Sequence, residues 1–294
     1  TDDGRRASSD PSPSTQSAWK RTIASCEVRF PLTPYKSQVQ VMSAVVRAAR
    51  RGTCALVESP TGSGKTLALL CAALAWSESE SERREDVGVD DDEDGEEDEA
   101  RKRETKRIGN GKPPKIYYAT RTHAQIAQIV GELSRTAYKP HTVVLASREH
   151  YCVNKSARKG GDVNAECRRL MDAGAAGGDG KGCFYSGQGA SKLASLAKNH
   201  PDALDIEDLV KMGTSKKGCP YFASKIMAES AELIFCPYNY LLDPRTRSAM
   251  DIDIEGSLII FDEAHNIEDT AREAASEEII LDDVANAIDR LSKM

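Results

Sequence analysis

The chain has 294 residues, 39% of them hydrophobic and 29% charged, with a formal net charge of -6. That length holds about two ordinary domains and a core large enough to fold without staples. No run approaches the roughly 18 apolar residues of a membrane span, and the N-terminus lacks the apolar centre of a secretory signal. A soluble intracellular protein is expected, so the eight cysteines do not read as a disulfide framework.

The negative charge is local. Ser77 to Ile108 carries 15 Asp/Glu and 7 Lys/Arg, and the rest of the chain has 33 Lys/Arg against 31 Asp/Glu. The first residue is Thr1 rather than Met, as expected of a fragment. Residues 1–21, rich in Ser, Pro, Asp and Arg, are expected to form a disordered tail. Cys26 to Tyr35 reads as a short extended entry. A helix is predicted from Lys36 to Arg51, with Val39, Met42, Val45 and Val46 on one face and Gly52 as its stop. The amide of Gln38 offers both a donor and an acceptor, which suits an adenine edge just upstream of a nucleotide site; an exposed polar residue on a helix is the bland alternative.

The stretch Glu58 to Thr66 reads E-S-P-T-G-S-G-K-T between an apolar run, Cys54 to Val57, and a helical stretch, Leu67 to Trp76. This is a phosphate-binding loop in a strand-to-helix context, with Ser59 where the first glycine usually stands. Ser59, Pro60, Thr61, Gly62, Ser63 and Gly64 would curl their backbone N–H groups around phosphates. Lys65 would neutralise the triphosphate and the Thr66 hydroxyl would ligate Mg²⁺. ATP and Mg²⁺ are the expected ligands. Cys54 and Cys71 are assigned to the core, Cys26 and Cys236 to structural roles.

Residues 77–112 read as a solvated acidic insertion, since nine acids in the ten residues Asp90 to Glu99 repel one another and bury nothing. The following R-K-R-E-T-K-R is either a nuclear import signal or charge compensation. Strands are then predicted at Lys115 to Thr120 and His141 to Ser147, with a helix from Ala124 to Arg135 between them. Strands alternating with helices indicate a parallel sheet, whose ligands bind beyond the carboxyl ends of the strands. Thr120, Arg121 and Thr122 would lie there, two hydroxyls and a guanidinium suited to a nucleic-acid backbone, or an ordinary strand-end cap.

Between Arg148 and Pro220 the alternation stops and four cysteines appear, Cys152, Cys167, Cys183 and Cys219, separated by 14, 15 and 35 residues. Zinc modules bring cysteines in close pairs. Four single cysteines on separate segments suit a Cys₄-held iron-sulfur cluster, and four unrelated buried thiols is the competing reading. The sheet then resumes with a helix at Tyr221 to Ser230 and strands at Ala231 to Phe235 and Ser257 to Phe261, the last running into Asp262-Glu263-Ala264-His265. Asp262 can hold Mg²⁺ through its water shell and Glu263 can orient and deprotonate the attacking water. His265 would relay the state of the γ-phosphate.

Together S-P-T-G-S-G-K-T, A-T-R-T-H-A-Q-I-A-Q-I, the four cysteines, C-P-Y-N-Y-L-L-D and D-E-A-H-N-I-E-D resemble the XPD-like iron-sulfur DNA helicases of superfamily 2, and within them the Fanconi anaemia group J type. The resemblance implies an α/β, RecA-like first helicase lobe over residues 22–147 and 221–270, interrupted by a cluster domain over 148–220, with residues 271–294 opening an arch domain. It implies a [4Fe-4S] cluster on Cys152, Cys167, Cys183 and Cys219, Gln38 at adenine, and Arg121 on the DNA backbone. Arg148 would stabilise a cluster thiolate or reach DNA. It further implies 5′ to 3′ translocation on single-stranded or forked DNA, repair or replication work with repair proteins as partners, and a nuclear location without membrane. Such helicases close a second ATPase lobe over the nucleotide, and the sequence stops at Met294, before such a lobe. The alternative is an ATP- or DNA-binding module without motor activity.

Overall fold

The computed structural model describes residues 19–60, 62–87, 114–175, 182–276 and 281–292. The chain divides into two compact units, residues 1–93 with 131–139 and residues 94–130 with 140–294.

In the first unit, β1 (Trp19–Ile23) and β2 (Cys26–Phe30) form an antiparallel hairpin with Ile23 opposite Cys26. Trp19 to Arg21, expected in a disordered tail, belong to this strand, and residues 1–18 lie outside the described residues. The turn residues Ala24 and Ser25 both take positive φ, 45° and 67°. Such turns favour Asn-Gly, so the sequence carries no hairpin signal. Cys26, Val28 and Phe30 point inward, the alternation of a half-buried strand. Helix α1 (Lys36–Arg51) ends where Gly52, at φ 62°, donates its N–H to the carbonyls of Ala48 and Ala49. It buries Val41, Met42, Val45 and Val46, with Val41 replacing the expected Val39.

Helix α2 (Lys65–Val87) is buried on every side from Leu67 to Trp76. It does not stop where the acidic insertion was expected to begin. Ser77 and Glu80 are buried, and Arg29 of β2 pairs with Glu78, so the start of the expected insertion belongs to the fold, and the helix itself runs on to Val87. Asp90 to Glu99 and the basic run after it lie outside the described residues. The strand expected at Cys54 to Val57 is absent: the run is irregular, Cys54 is exposed and Leu56 is 95% exposed. A strand needs a ladder partner, and none faces this run among the described residues. Cys26, Cys71 and Cys236 are buried as expected.

The second unit is built on β3 (Ile116–Thr120), β4 (Thr142–Val144), β5 (Leu233–Pro237) and β6 (Leu258–Phe261), all parallel in the order β4-β5-β3-β6. The α/β class with a parallel sheet stands. Tyr118 of β3 lies in register with Phe235 and Ile260, and all five β3 residues are buried, the near-continuous apolar run of a central parallel strand. Helix α3 (His123–Ser134) follows β3 and buries Ile126, Ile129, Val130 and Leu133, the predicted face.

After β4 the chain makes α4 (Arg148–Tyr151), α5 (Lys155–Lys159), α6 (Val163–Ala175), α7 (Gln188–Lys198) and α8 (Ile206–Lys216). Helix α9 (Pro220–Ser230) returns it to the sheet. Leu193 of α7 and Leu209 of α8 share one core with Tyr117, Ile234 and Met227, so the inserted segment is helical and packed. Beyond β5 come α10 (Asn239–Leu242) and α11 (Pro244–Ala249), and beyond β6 a 3₁₀ turn, α12 (Ile267–Ala274) and α13 (Leu281–Ser292). Among the described residues no helix is long and apolar enough to cross a membrane.

Candidate functional site

The phosphate-loop residues sit at the start of α2. Gly62 and Gly64 take φ of 78° and 71°, conformations that a side chain resists. Ser63 donates its N–H to the Pro60 carbonyl at 3.2 Å, and the Ser59 and Ser63 hydroxyls lie 2.6 Å apart. Lys65 and Thr66 form the first turn of α2, at the positive end of its dipole. Thr61 lies outside the described residues.

Gln38 was expected at adenine, and the structure gives its amide a different task. It is only 7% exposed. Its Oε1 accepts from Tyr35 N–H at 2.8 Å, and its Nε2 donates to the Ser63 carbonyl at 3.0 Å. Both ends of the amide are thus spent on backbone, and Gln38 ties the first turn of α1 to the phosphate loop. A Cβ on Gly64 would collide with the Gln38 Nε2.

In the second unit, the carboxyl ends of the parallel strands form one rim. Asp262, just past β6, is 8% exposed. Its Oδ2 accepts from the Tyr118 hydroxyl at 2.9 Å, its Oδ1 from Glu263 N–H at 3.0 Å, and its carbonyl from the Tyr238 hydroxyl. Tyr118 and the next peptide thereby aim the carboxylate, while Tyr238 fixes the Asp262 backbone. Glu263 has left-handed backbone, φ 57° and ψ 44°, an uncommon state for a non-glycine residue that is kept where the surroundings impose it. Its carboxylate lies 3.4 Å from His265 Nδ1, and His265 Nε2 lies 2.9 Å from the Asn266 amide. Burial, then the charges of Asp262 and Glu263, push the Tyr238 phenol up to about 12, against a smaller opposing effect of Arg121. Tyr238 therefore stays a hydrogen-bond donor at neutral pH.

Arg121 and Thr122 emerge exposed on this rim, and Arg121 Nη1 donates to Asn266 Oδ1 at 3.2 Å. Thr120 does not join them. It is 1% exposed and gives its hydroxyl to the Thr122 carbonyl at 2.9 Å, so it shapes the turn rather than facing a ligand. Thr122 caps α3 through Gln125.

The four predicted cysteines line one cavity, together with Arg148, Asn154 and Tyr221. Cys152 follows α4, Cys167 lies in α6, Cys183 in the loop before α7, and Cys219 caps α9. Burial raises the Cys152 thiol, and the neighbouring Cys167 and Cys183 raise it further. Burial likewise pushes Cys219 up to about 11, with the N–H groups of Phe222 and Tyr221 opposing it and Cys183 and Cys152 adding to it. Mutual repulsion of this kind is relieved when thiolates share a cationic centre. Among the described residues no three His, Cys, Asp or Glu side chains gather closely enough for a single metal ion. The Arg148 guanidinium stacks 4.3 Å over the Tyr221 ring and leaves its Nε buried without a hydrogen-bond partner. Arg148 is thus among the residues that line the cysteine cavity.

Sequence reasoning missed Tyr118, Tyr238, Asn154 and Asn266. Tyr238 had a signal: a tyrosine one residue beyond a strand of a parallel sheet emerges on the ligand rim. Tyr118 had none, because a buried phenol two residues from the end of an apolar strand reads as core.

The DEAD_2 family model matches residues 118–284, more than half of the chain. Regulator of telomere elongation helicase 1 from Bos taurus is 37% identical over 289 residues, covering 94% of this chain and 23% of its own length. The regulator of telomere elongation helicase 1 homolog from Caenorhabditis elegans is 39% identical over 275 residues, covering 91% and 27%. The chain thus spans about a quarter of the length of these relatives. Neither carries the Fanconi anaemia group J name that the wording of the motifs resembled. A solved structure titled XPD_Helicase aligns with 82% of this chain and 34% of its own at 19% identity and a TM-score of 0.48, a likeness too weak to argue from. With the family match running from β3 through the Asp262-Glu263 rim to α13, the chain belongs to the DEAD_2 family.

Proposed function

We propose that this chain is the RecA-like ATP-binding lobe of an XPD-like DNA helicase that moves 5′ to 3′ along single-stranded DNA in the nucleus, in repair, replication or telomere maintenance. The observation that carries the reading is the buried Asp262 at the end of a parallel strand, its carboxylate aimed by the Tyr118 hydroxyl, its carbonyl held by Tyr238, and followed by Glu263 in constrained backbone. Lys65 and Thr66 would hold a triphosphate, Asp262 would order the waters of a Mg²⁺, and Glu263 would take a proton from the attacking water. The exposed Arg121, anchored through Asn266, pairs with a DNA phosphate. Its link to the turn that holds His265 gives the nucleotide and the strand a common structural element.

The cysteine cavity supports a [4Fe-4S] cluster on Cys152, Cys167, Cys183 and Cys219. The four thiols come from separate segments and line one cavity, as holding such a cluster by Cys₄ ligation would need. Bound there, it would cross-link four distant segments of the chain. In this chain Cys219 uses the first N–H groups of α9 and the cavity uses Arg148 to hold thiolate charge.

DNA-stimulated ATP hydrolysis by the full-length protein that contains this chain tests the reading. Lys65→Ala and Glu263→Gln are expected to lower turnover by about 10² or more, the scale of losing general-base catalysis or charge stabilisation. Turnover that is unchanged in both variants excludes the site.

A further inference from the structure

Asn154 lies two residues after Cys152 and makes two kinds of contact at once. Its Oδ1 accepts from Ser156 N–H at 2.9 Å and Ala157 N–H at 3.4 Å, capping α5. Those two donors fix the amide orientation, which leaves the Nδ2 on the opposite side, and this nitrogen donates to the Cys183 Sγ at 3.5 Å. The same short helix is fastened to the first cysteine by Arg158, whose Nη1 donates to the Cys152 carbonyl at 2.9 Å. Asp and Ser cap a helix as well as Asn does. Capping alone therefore leaves the choice of Asn unexplained, whereas an amide caps through its oxygen and donates to the sulfur through a separate nitrogen.

We propose that Asn154 is a positioning residue for the iron-sulfur site: it locks the Cys183 loop to the Cys152 segment and, through its N–H···S bond, sets the electron affinity of the cluster. This rests on the cluster reading above. An N–H donor withdraws charge from the thiolate, and reduction adds an electron to the cluster. The bond therefore favours the reduced form and raises the midpoint potential. The cap holds the donor in place, so the side chain loses little freedom in making the bond.

The test uses the chain purified anaerobically, with iron counted and the midpoint potential read by spectroelectrochemistry, alongside Asn154→Ser and Asn154→Asp. Both variants keep an oxygen for the α5 cap and lose the Nδ2 that donates to the sulfur, and the aspartate carboxylate has no donor at all. Both are expected to hold the parent's iron content at a more negative potential. At a fixed ambient potential the reduced fraction is expected to fall roughly three- to tenfold for the serine, the range of one ordinary hydrogen bond, and further for the aspartate with its added charge. The rate of iron release to a ferrous chelator is read in parallel, and severalfold faster release in the serine variant supports the positioning role even where iron is shed during purification. Parent-like potential and parent-like release in both variants overturn it. A parent protein without iron overturns the cluster reading and this proposal together, while an iron-loaded parent with two silent variants overturns this proposal alone.

Discussion

The Tyr118 hydroxyl donates to Oδ2 of Asp262 at 2.9 Å in a fully buried contact between neighbouring strands. The two residues are in chemically opposite settings: the phenol sits in the middle of the apolar β3, and the carboxylate opens onto the rim. Tyr118→Phe keeps the ring and removes one donor from a charged acceptor, a loss of about 1 to 3 kcal/mol. A small drop in melting temperature and a clear drop in ATP turnover of the full-length protein are expected. Unchanged turnover would show that the Asp262 carboxylate does not need this hydroxyl to point at its metal.

The role of Gln38 separates by base preference. As a tether between Tyr35 and Ser63, it shapes the loop that holds phosphates common to every nucleotide. Gln38→Ala is then expected to weaken ATP and GTP together, roughly three- to tenfold for the loss of one or two ordinary hydrogen bonds. Calorimetric titration with both nucleotides checks it. A loss confined to ATP would restore the adenine role read from the sequence.

His123 gives the fold an acid-sensitive point. Its ring lies 4.4 Å from that of His150, and its Nδ1 is buried without a partner. Burial, with a further contribution from His150, lowers its pKa from 6.5 to about 4. The folded state therefore keeps His123 neutral where the unfolded chain binds a proton. The resulting stability is complete above pH 6.5 and is lost as the pH falls from there toward 4. His123→Gln is expected to lower the melting temperature at pH 7.5 less than it narrows the difference between pH 7.5 and pH 5. Parallel curves for the two proteins would remove His123 as the cause.

The cysteines divide into classes with different expected costs. Cys152→Ser and Cys167→Ser are expected to abolish stoichiometric iron and visible absorbance, and chelation of the iron to lower the melting temperature. Cys54 is exposed, so Cys54→Ser is expected to stay within about 0.5 kcal/mol of the parent. Iron loading is expected to release protons and to become faster as the pH rises, because burial holds the Cys152 and Cys219 thiols in their protonated form.

Much of this was legible in the chain because the signals were local. Gly52 announced the end of α1, the face of α3 was visible in Ile126, Ile129, Val130 and Leu133, and the apolar run ending in Asp262 marked its own strand. The four cysteines were separable from Cys26, Cys71 and Cys236 by their polar surroundings. What stayed hidden depends on partners far away in sequence. Arg29 pairing with Glu78 keeps α2 in the fold past Trp76, and nothing near Ser77 says so. Gln38 looked like a free amide because Ser63 is 25 residues downstream. The hairpin at Ala24 and Ser25 was invisible because its turn uses left-handed residues of a type that rarely adopt them.

The lacing of the strand ends has a mechanical meaning. Tyr238 N–H reaches the Thr120 carbonyl at 2.9 Å, and its hydroxyl reaches Asp262, while Tyr118 holds the same aspartate from β3. A tug delivered at Arg121 or Asn266 is thus shared among β3, β5 and β6 in shear, instead of peeling one strand from its neighbour. In the helicase proposed above, that arrangement would keep the rim stiff under load.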